Sequence, residues 1–200
     1  MAEVTTDLVK QLRERTGAGM MDCKKALLAC EGEMEKAMEF LRLKGLAIVA
    51  KKAGRTAEAG LVESYVHLAG RIGVIVEVNC ETDFVARSPQ FKEFAHDIAM
   101  QVAAAKPVWV SREDIDAGIV ERERSLQLAR ALDEGKPEKI LDRIVGGRMD
   151  KFFTETCLLE QPFIKDDGIT VRDLLNQKIA LFGENMQIRR FARFEVGEPL

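Results

Sequence analysis

The chain has 200 residues, of which 46% are hydrophobic and 32% are charged, and its formal net charge is −3 at pH 7. This composition is that of a folded globular protein with a sizeable core. The near balance of acidic and basic residues argues against a primary nucleic-acid binder, which usually has a basic excess. No apolar run reaches the length of a membrane span, and the N-terminus lacks the pattern of a signal peptide. A cytoplasmic location is therefore expected.

The cysteine pattern is typical of a reducing compartment and predicts no metal site. No two cysteines stand at the short paired spacing of zinc-binding sequences. We therefore expect reduced and mostly buried thiols, with no metal and no cofactor. The cysteines are Cys23, Cys30, Cys80 and Cys157.

Residues 1–46 predict three short helices, each ended by glycine. The segment TGAG breaks the first helix, Gly32 ends the second and Gly45 ends the third. Helices of this length are not stable alone in water, so they must pack on one another. We expect a compact three-helix module.

A change of composition separates this module from the rest of the chain. Residues 50–60 read AKKAGRTAEAG and contain no large apolar side chain, which is typical of a solvated linker. The predicted organisation is a helical domain over residues 1–50, a linker over residues 51–60 and a core over residues 61–200.

The pattern of the core predicts an α+β fold. Two strand-like segments, LVESYVH and RIGVIVEVN, flank the hairpin signal LAG, and MQIRRFARFEV near the C-terminus is a third strand. Four helical stretches lie between the second and third strands, which favours helices on one face of a small antiparallel three-stranded sheet. The other face, containing Val74, Val76 or Ile75, needs a cover that a second copy of the chain could supply.

The motifs of common enzymes are absent from the sequence. It contains no GxxxxGK[ST] phosphate loop, no GxGxxG, no GxSxG nucleophile elbow and no HExxH zinc motif. A small acid–base enzyme using His67 and Asp83 remains an alternative, although neither residue lies in a recognisable catalytic triad. We interpret His96, the other histidine, as structural.

The segment EVNCETDFVARSPQF, residues 77–91, places an acid and an aromatic where a predicted strand turns into a helix. Turns lie on the surface, so Phe84 beside Asp83 is a candidate interface anchor. On residue type alone, burial of Phe84 in the protein's own core is equally favoured. Met20 and Met21 are a second candidate surface, because adjacent residues cannot share one helix face. On spacing alone, one methionine in the core beside one incidental methionine is slightly favoured.

Several long motifs together resemble the bacterial elongation factor Ts family. They include LVKQLRERTGAGMMDCKKAL, VEVNCETDFVA and RFEVGE, and the resemblance extends over essentially the whole chain. It implies a ubiquitin-associated-like N-terminal module and a non-enzymatic exchange factor that releases GDP from the GTPase elongation factor Tu, with no direct nucleic-acid or membrane partner. An adaptor that binds ubiquitin-like proteins through residues 1–46 is another alternative.

The resemblance also implies two sets of residues that contact the GTPase. The first set is the family's Thr-Asp-Phe-Val motif, whose aromatic enters the partner near its magnesium and phosphates; it comprises Thr82, Asp83, Phe84 and Val85. The second set lies in the N-terminal module and comprises Lys10, Arg13, Met20 and Met21.

The length of the chain adds an expectation about assembly. Longer family members have a second core half-domain and a helical hairpin insertion, whereas this sequence shows one half-core and no obvious hairpin. His67 matches a histidine of the second half-core that helps to engage the partner. The resemblance therefore implies a homodimer that binds two GTPase molecules as a heterotetramer. Each GTPase would contact Asp83 and Phe84 of one chain and His67 of the other.

Overall fold

A computed structural model describes residues 4–198, which form two compact units. Unit 1 comprises the residues up to Gly60 with residues 79–88 and 173–187, and unit 2 comprises residues 61–78, residues 89–172 and the residues from Ile188 onward. The elements in chain order are α1 (Thr6–Thr16), α2 (Met20–Ala29), α3 (Met34–Lys52), β1 (Ala59–His67), β2 (Ile72–Cys80), α4 (Asp83–Ala86), α5 (Pro89–Ala105), α6 (Ala117–Asp133), α7 (Glu138–Thr156), β3 (Pro162–Phe163), β4 (Asp166–Thr170), α8 (Val171–Phe182) and β5 (Met186–Glu195). No helix within the described residues is both long and apolar enough to cross a membrane.

The predicted three-helix module at the N-terminus is confirmed. The Thr5 hydroxyl caps α1 by accepting from the Leu8 amide, and Gly17 ends it with a φ of 67°, a conformation that favours glycine. The apolar faces of α1, α2 and α3 meet in one core, in agreement with the expectation that such short helices must pack together. The buried residues of this core are Val9, Leu12, Cys23, Ala26, Leu27 and Ala37.

The third helix is longer than predicted, because α3 continues through Gly45 to Lys52. A side chain at Gly45 would place its Cβ 3.6 Å from the Cβ of Ala180 in α8, which is an ordinary van der Waals contact, so this glycine lies inside the helix on the side facing α8. The prediction that Gly45 ends the helix is therefore wrong. Residues 53–58 lie outside helices and strands. The proposed domain boundaries remain a prediction.

The predicted α+β core and its three-stranded sheet are confirmed, with strand order β1-β2-β5. The connection between β1 and β2 turns through positive φ angles at Leu68, Ala69 and Gly70, as the hairpin signal indicated. Pairing of β2 with β5 is antiparallel. The amide of Val196 donates to the carbonyl of Arg71, while further along Arg190 pairs with Glu77.

The two faces of the sheet differ in burial. On β2 the buried side chains alternate with more exposed ones, and the helix-covered face carries Ile72, Val74, Val76, Val78 and Cys80. Ile75 lies on the opposite face and is 50% exposed. The sequence left Val74 and Val76 or Ile75 as alternatives for the open face. The structure places Ile75 there and buries Val74 and Val76, since successive strand residues point to opposite faces.

Helices α6 and α7 form an antiparallel helical hairpin, so the expectation of no such hairpin is wrong. Gly135 with a φ of 69° ends the first helix and Pro137 begins the second, which leaves a short connection between two helices that the sequence does predict.

The small β3–β4 sheet was not predicted, because strands of two and five residues are too short for a periodic signal. Buried Gln101 holds it by accepting from the Ile164 amide at 2.8 Å.

Candidate interface around Phe84

Asp83 and Phe84 lie in the four-residue helix α4, which follows directly from β2 in the chain. The side chain of Phe84 is 86% exposed, so the reading in which it enters the protein's own core is wrong. Val85 and Ala86, the next two residues, are buried. The helix is therefore held by its second half and presents its first half to solvent.

Thr82 caps this short helix and fixes its first turn. Its backbone is extended, with φ −131° and ψ 150°, and its hydroxyl accepts from the amide of Val85 at 3.4 Å. Asp83 occupies the first helical position, where a carboxylate is favoured by the partial positive charge of the helix N-terminus. Asp83 also pairs with Arg87 at 3.5 Å, but both side chains are at least 75% exposed, so this ion pair contributes little stability.

Residues that follow α8 brace the same turn, and sequence reasoning missed them. The carboxylate of Glu184 accepts from the Thr82 amide at 3.1 Å and from the Thr82 hydroxyl at 2.7 Å. The amide of Asn185 donates to Glu81 at 2.6 Å, and this hydrogen bond lowers the pKa of the Glu81 carboxyl. About a hundred residues separate Glu184 and Asn185 from their partners Thr82 and Glu81. The only signal in the sequence is the polar pair Glu184-Asn185 itself, which follows the helix-ending Gly183.

The predicted residues of the N-terminal module are also exposed. Lys10, Arg13 and Met20 line a shallow groove together with Glu14 and Gly17. Met21 is 65% exposed. Both methionines are exposed, so the alternative in which one of them lies in the core is wrong, while the expectation that adjacent helical residues cannot both face inward holds.

Both histidines lie in unit 2 beside Tyr65. The Nδ1 atom of His67 is 2.9 Å from the Tyr65 hydroxyl, and the two rings stack with centroids 5.7 Å apart. His96 meets the Tyr65 ring edge-on and its Nδ1 atom is 3.0 Å from Glu63, which fits the structural role expected for it. Among residues 4–198, no cluster of three or more His, Cys, Asp or Glu side chains could hold a metal ion.

The fold is that of an α+β protein with an N-terminal three-helix module, and its candidate site is an exposed aromatic of the kind that anchors protein–protein interfaces. The family model described as Elongation factor TS matches residues 45–198. The chain is 62% identical over 197 residues to elongation factor Ts of Carboxydothermus hydrogenoformans, which covers 98% of this chain and 91% of that protein. It is 60% identical over 200 residues to that of Desulforamulus reducens, covering 100% and 92%. The chain belongs to the elongation factor Ts family of translation elongation factors.

Proposed function

We propose that this chain is a guanine-nucleotide exchange factor that binds elongation factor Tu carrying GDP and accelerates release of the nucleotide. The observation that carries the proposal is the exposure of Phe84 on a capped and braced helix, next to Asp83. Exposure of this ring contributes nothing to the stability of the fold, whereas its burial by a partner would be favourable. The ring therefore fits a pocket on another protein.

Burial of Phe84 supplies part of the binding energy. Transfer of a phenylalanine side chain from water into an apolar pocket is worth about 1.5–3 kcal/mol. The ring would enter between two helices of the GTPase near the magnesium and phosphate site, and the carboxylate of Asp83 would arrive with it. A negative charge and an apolar wedge at that place disturb the contacts that hold magnesium and the phosphates.

The mechanism needs no covalent step, so the protein acts as a binding factor and not as an enzyme. If the factor weakens nucleotide binding by some ratio, thermodynamic linkage requires the nucleotide to weaken factor binding by the same ratio. GDP then leaves faster, and GTP binding displaces the factor. No cofactor takes part in this cycle, which would take place in the cytoplasm.

The N-terminal module gives a second contact with the GTPase. Its three helices would have the ubiquitin-associated-like fold that the family resemblance implies. The groove lined by Lys10, Arg13 and Met20, with exposed Met21 beside it in sequence, offers two cations and two adaptable apolar side chains to a partner surface. This contact would add affinity and fix orientation.

The factor would act as a homodimer built on the open face of the sheet. His96 of α5 contacts Glu63 and Tyr65, so these residues of β1 face the helices and their neighbours Val62 and Val66 face away. An apolar face of this kind is a liability on a monomer, and a two-fold interface would bury it on both chains. The exposed apolar residues of this face are Val62, Val66, Ile75 and Phe194.

Each GTPase in the resulting heterotetramer would contact Phe84 of one chain and His67 of the other. Because Tyr65 occupies the Nδ1 atom of His67, the partner would meet the Nε2 atom of that ring. Mixing a His67→Ala chain with a Phe84→Ala chain should restore part of the exchange activity, since one composite site in the mixed dimer keeps both residues. An inactive mixture despite demonstrated subunit exchange would exclude the shared site.

Release of fluorescently labelled GDP from elongation factor Tu tests the main proposal. The wild-type chain should accelerate release at catalytic concentrations, and unlabelled GDP in excess should make the reaction irreversible. A small acid–base enzyme using His67 and Asp83, or an adaptor for ubiquitin-like proteins, would leave the release rate unchanged.

A further inference from the structure

Two segments distant in sequence, residues 81–82 and residues 184–185, are joined by reciprocal hydrogen bonds within unit 1. Glu184 accepts twice from Thr82, and in the opposite direction the Asn185 amide donates to Glu81. Asn185 also donates its side-chain amide to the carbonyl of Arg55 at 2.6 Å, and Arg55 pairs with Glu81 at 3.4 Å. Asn185, the residue next to Glu184, is therefore held by hydrogen bonds to both Glu81 and Arg55.

The backbone around Glu184 explains why its carboxylate reaches this turn. Gly183 ends α8 in a left-handed conformation with a φ of 67°, and its amide donates to the carbonyl of Ile179 at 2.9 Å. Such a turn is readily adopted only by glycine, and it redirects the chain immediately after the helix. Glu184 is the first residue beyond it.

We propose that Glu184 is a positioning residue for the turn formed by residues 82–85, acting through Thr82 on Asp83 and Phe84. The Thr82 hydroxyl has a single proton, and donating it to Glu184 leaves a lone pair aimed at the Val85 amide. The two hydrogen bonds, from the Thr82 hydroxyl to the Glu184 carboxylate and from the Val85 amide to the Thr82 hydroxyl, thus orient the cap of α4. A helix of four residues has no stability of its own and depends on such contacts.

The expected effect of Glu184 on nucleotide exchange rests on the proposed function. A turn that is already ordered in the free protein does not have to be ordered when the partner binds, and this preorganisation raises affinity. Loss of Glu184 should therefore raise the concentration of factor that gives half-maximal exchange. The rate at saturation should change little, because Phe84 still reaches its pocket once the complex has formed.

The test compares Glu184→Ala and Glu184→Gln with Glu39→Ala as the matched control. Glu39 also accepts two hydrogen bonds through its carboxylate, from Arg42 at 2.7 and 2.8 Å, but on the exposed surface of α3. Glutamine can accept from Thr82 with one oxygen only, so it should restore part of the effect. Two readouts are measured: the dependence of GDP release on factor concentration, and amide hydrogen exchange of Thr82 and Val85 in the free protein.

We expect Glu184→Ala to raise the half-maximal concentration about tenfold, to keep the saturating rate within about twofold, and to speed amide exchange at Thr82 and Val85 about tenfold. Glu184→Gln should be intermediate and Glu39→Ala unchanged. Unchanged amide exchange at both positions would overturn the inference, as would a fall in the saturating rate at an unchanged half-maximal concentration. If wild type does not accelerate GDP release, the proposed function fails, while amide exchange still decides whether Glu184 orders the turn. If the alanine variant does not fold, the glutamine variant decides by the same two readouts.

Discussion

Phe84 and Val85 are neighbours in the chain and occupy opposite environments, since the phenylalanine is 86% exposed and the valine is 5% exposed. Successive residues of a helix point in directions about 100° apart, so a single short turn can anchor itself with one side chain and present the next. Val85, although it matches the family's binding motif, therefore serves to hold the turn in this structure. Phe84 is left on the surface, where the proposed function requires it.

Phe84→Ala should remove most of the exchange activity and leave the melting temperature nearly unchanged, because the exposed ring packs little against the core of the protein. GDP release and thermal melting measure the two quantities. Ile164→Ala, which shortens another exposed apolar side chain, is the control and should retain full exchange. A strongly lowered melting temperature with normal exchange per folded molecule would contradict this prediction.

Val85→Ala should behave in the opposite way. Removing two methyl groups from a buried side chain costs about 1–3 kcal/mol in free energy of unfolding. Chemical denaturation should show this loss, and exchange should fall only as far as the turn becomes disordered. An unchanged free energy of unfolding would mean that α4 is held by its cap alone.

Gly45→Ala should stabilise the protein by about 0.5–1 kcal/mol, because glycine inside a helix loses more backbone entropy on folding than alanine does. The new methyl group would lie 3.6 Å from the Cβ of Ala180, which is an ordinary contact. Gly17→Ala is the matched comparison and should destabilise, since Gly17 has a φ of 67°. Both effects are read from chemical denaturation midpoints, and a destabilised Gly45→Ala variant would show that α3 and α8 pack more tightly than this distance indicates.

Phe194→Asp should convert the proposed dimer into a monomer, because it puts a charge on the apolar open face of the sheet, where the ring is 70% exposed. Sedimentation equilibrium should give a mass near twice 22.4 kDa for wild type and near 22.4 kDa for the variant. Ile164→Asp, on the β3–β4 turn, should remain dimeric. A wild-type monomer at micromolar concentration would exclude this assembly.

Glu195→Gln should lower the melting temperature at neutral pH and make it depend less on pH in the acidic range. The hydrogen bond from Lys106, together with that from Arg193, lowers the pKa of the Glu195 carboxyl from 4.5 to about 2. Stability from this group is therefore fully present above about pH 4.5 and is lost as the pH falls through about 2. Melting temperatures of wild type and variant should converge over that range. Glu35→Gln, which alters an exposed ion pair with Arg15, should show no such convergence.

Local patterns in the sequence were sufficient for most of the secondary structure. Glycines at the ends of α1 and α2, the Ser-Pro start of α5 and the alternation along β2 are local signals, and each acts within a few residues. The exposed pair Asp83-Phe84 could be recognised as a candidate from its place between a strand and a helix. The prediction that Gly45 ends a helix failed because tertiary packing, which includes a contact with Ala180 in α8, stabilises a helix that continues through this glycine.

Tertiary structure alone decided whether Phe84 faces water and what holds it there. Residue type favoured core and surface equally, since a phenylalanine side chain is compatible with both. Val85 is buried while Phe84 is exposed, and Thr82 donates two hydrogen bonds to Glu184, which lies 102 positions further along the chain. No periodic pattern extends over such a separation, because side-chain periodicity reports only the face of one element and not the partner that the folded chain brings to it.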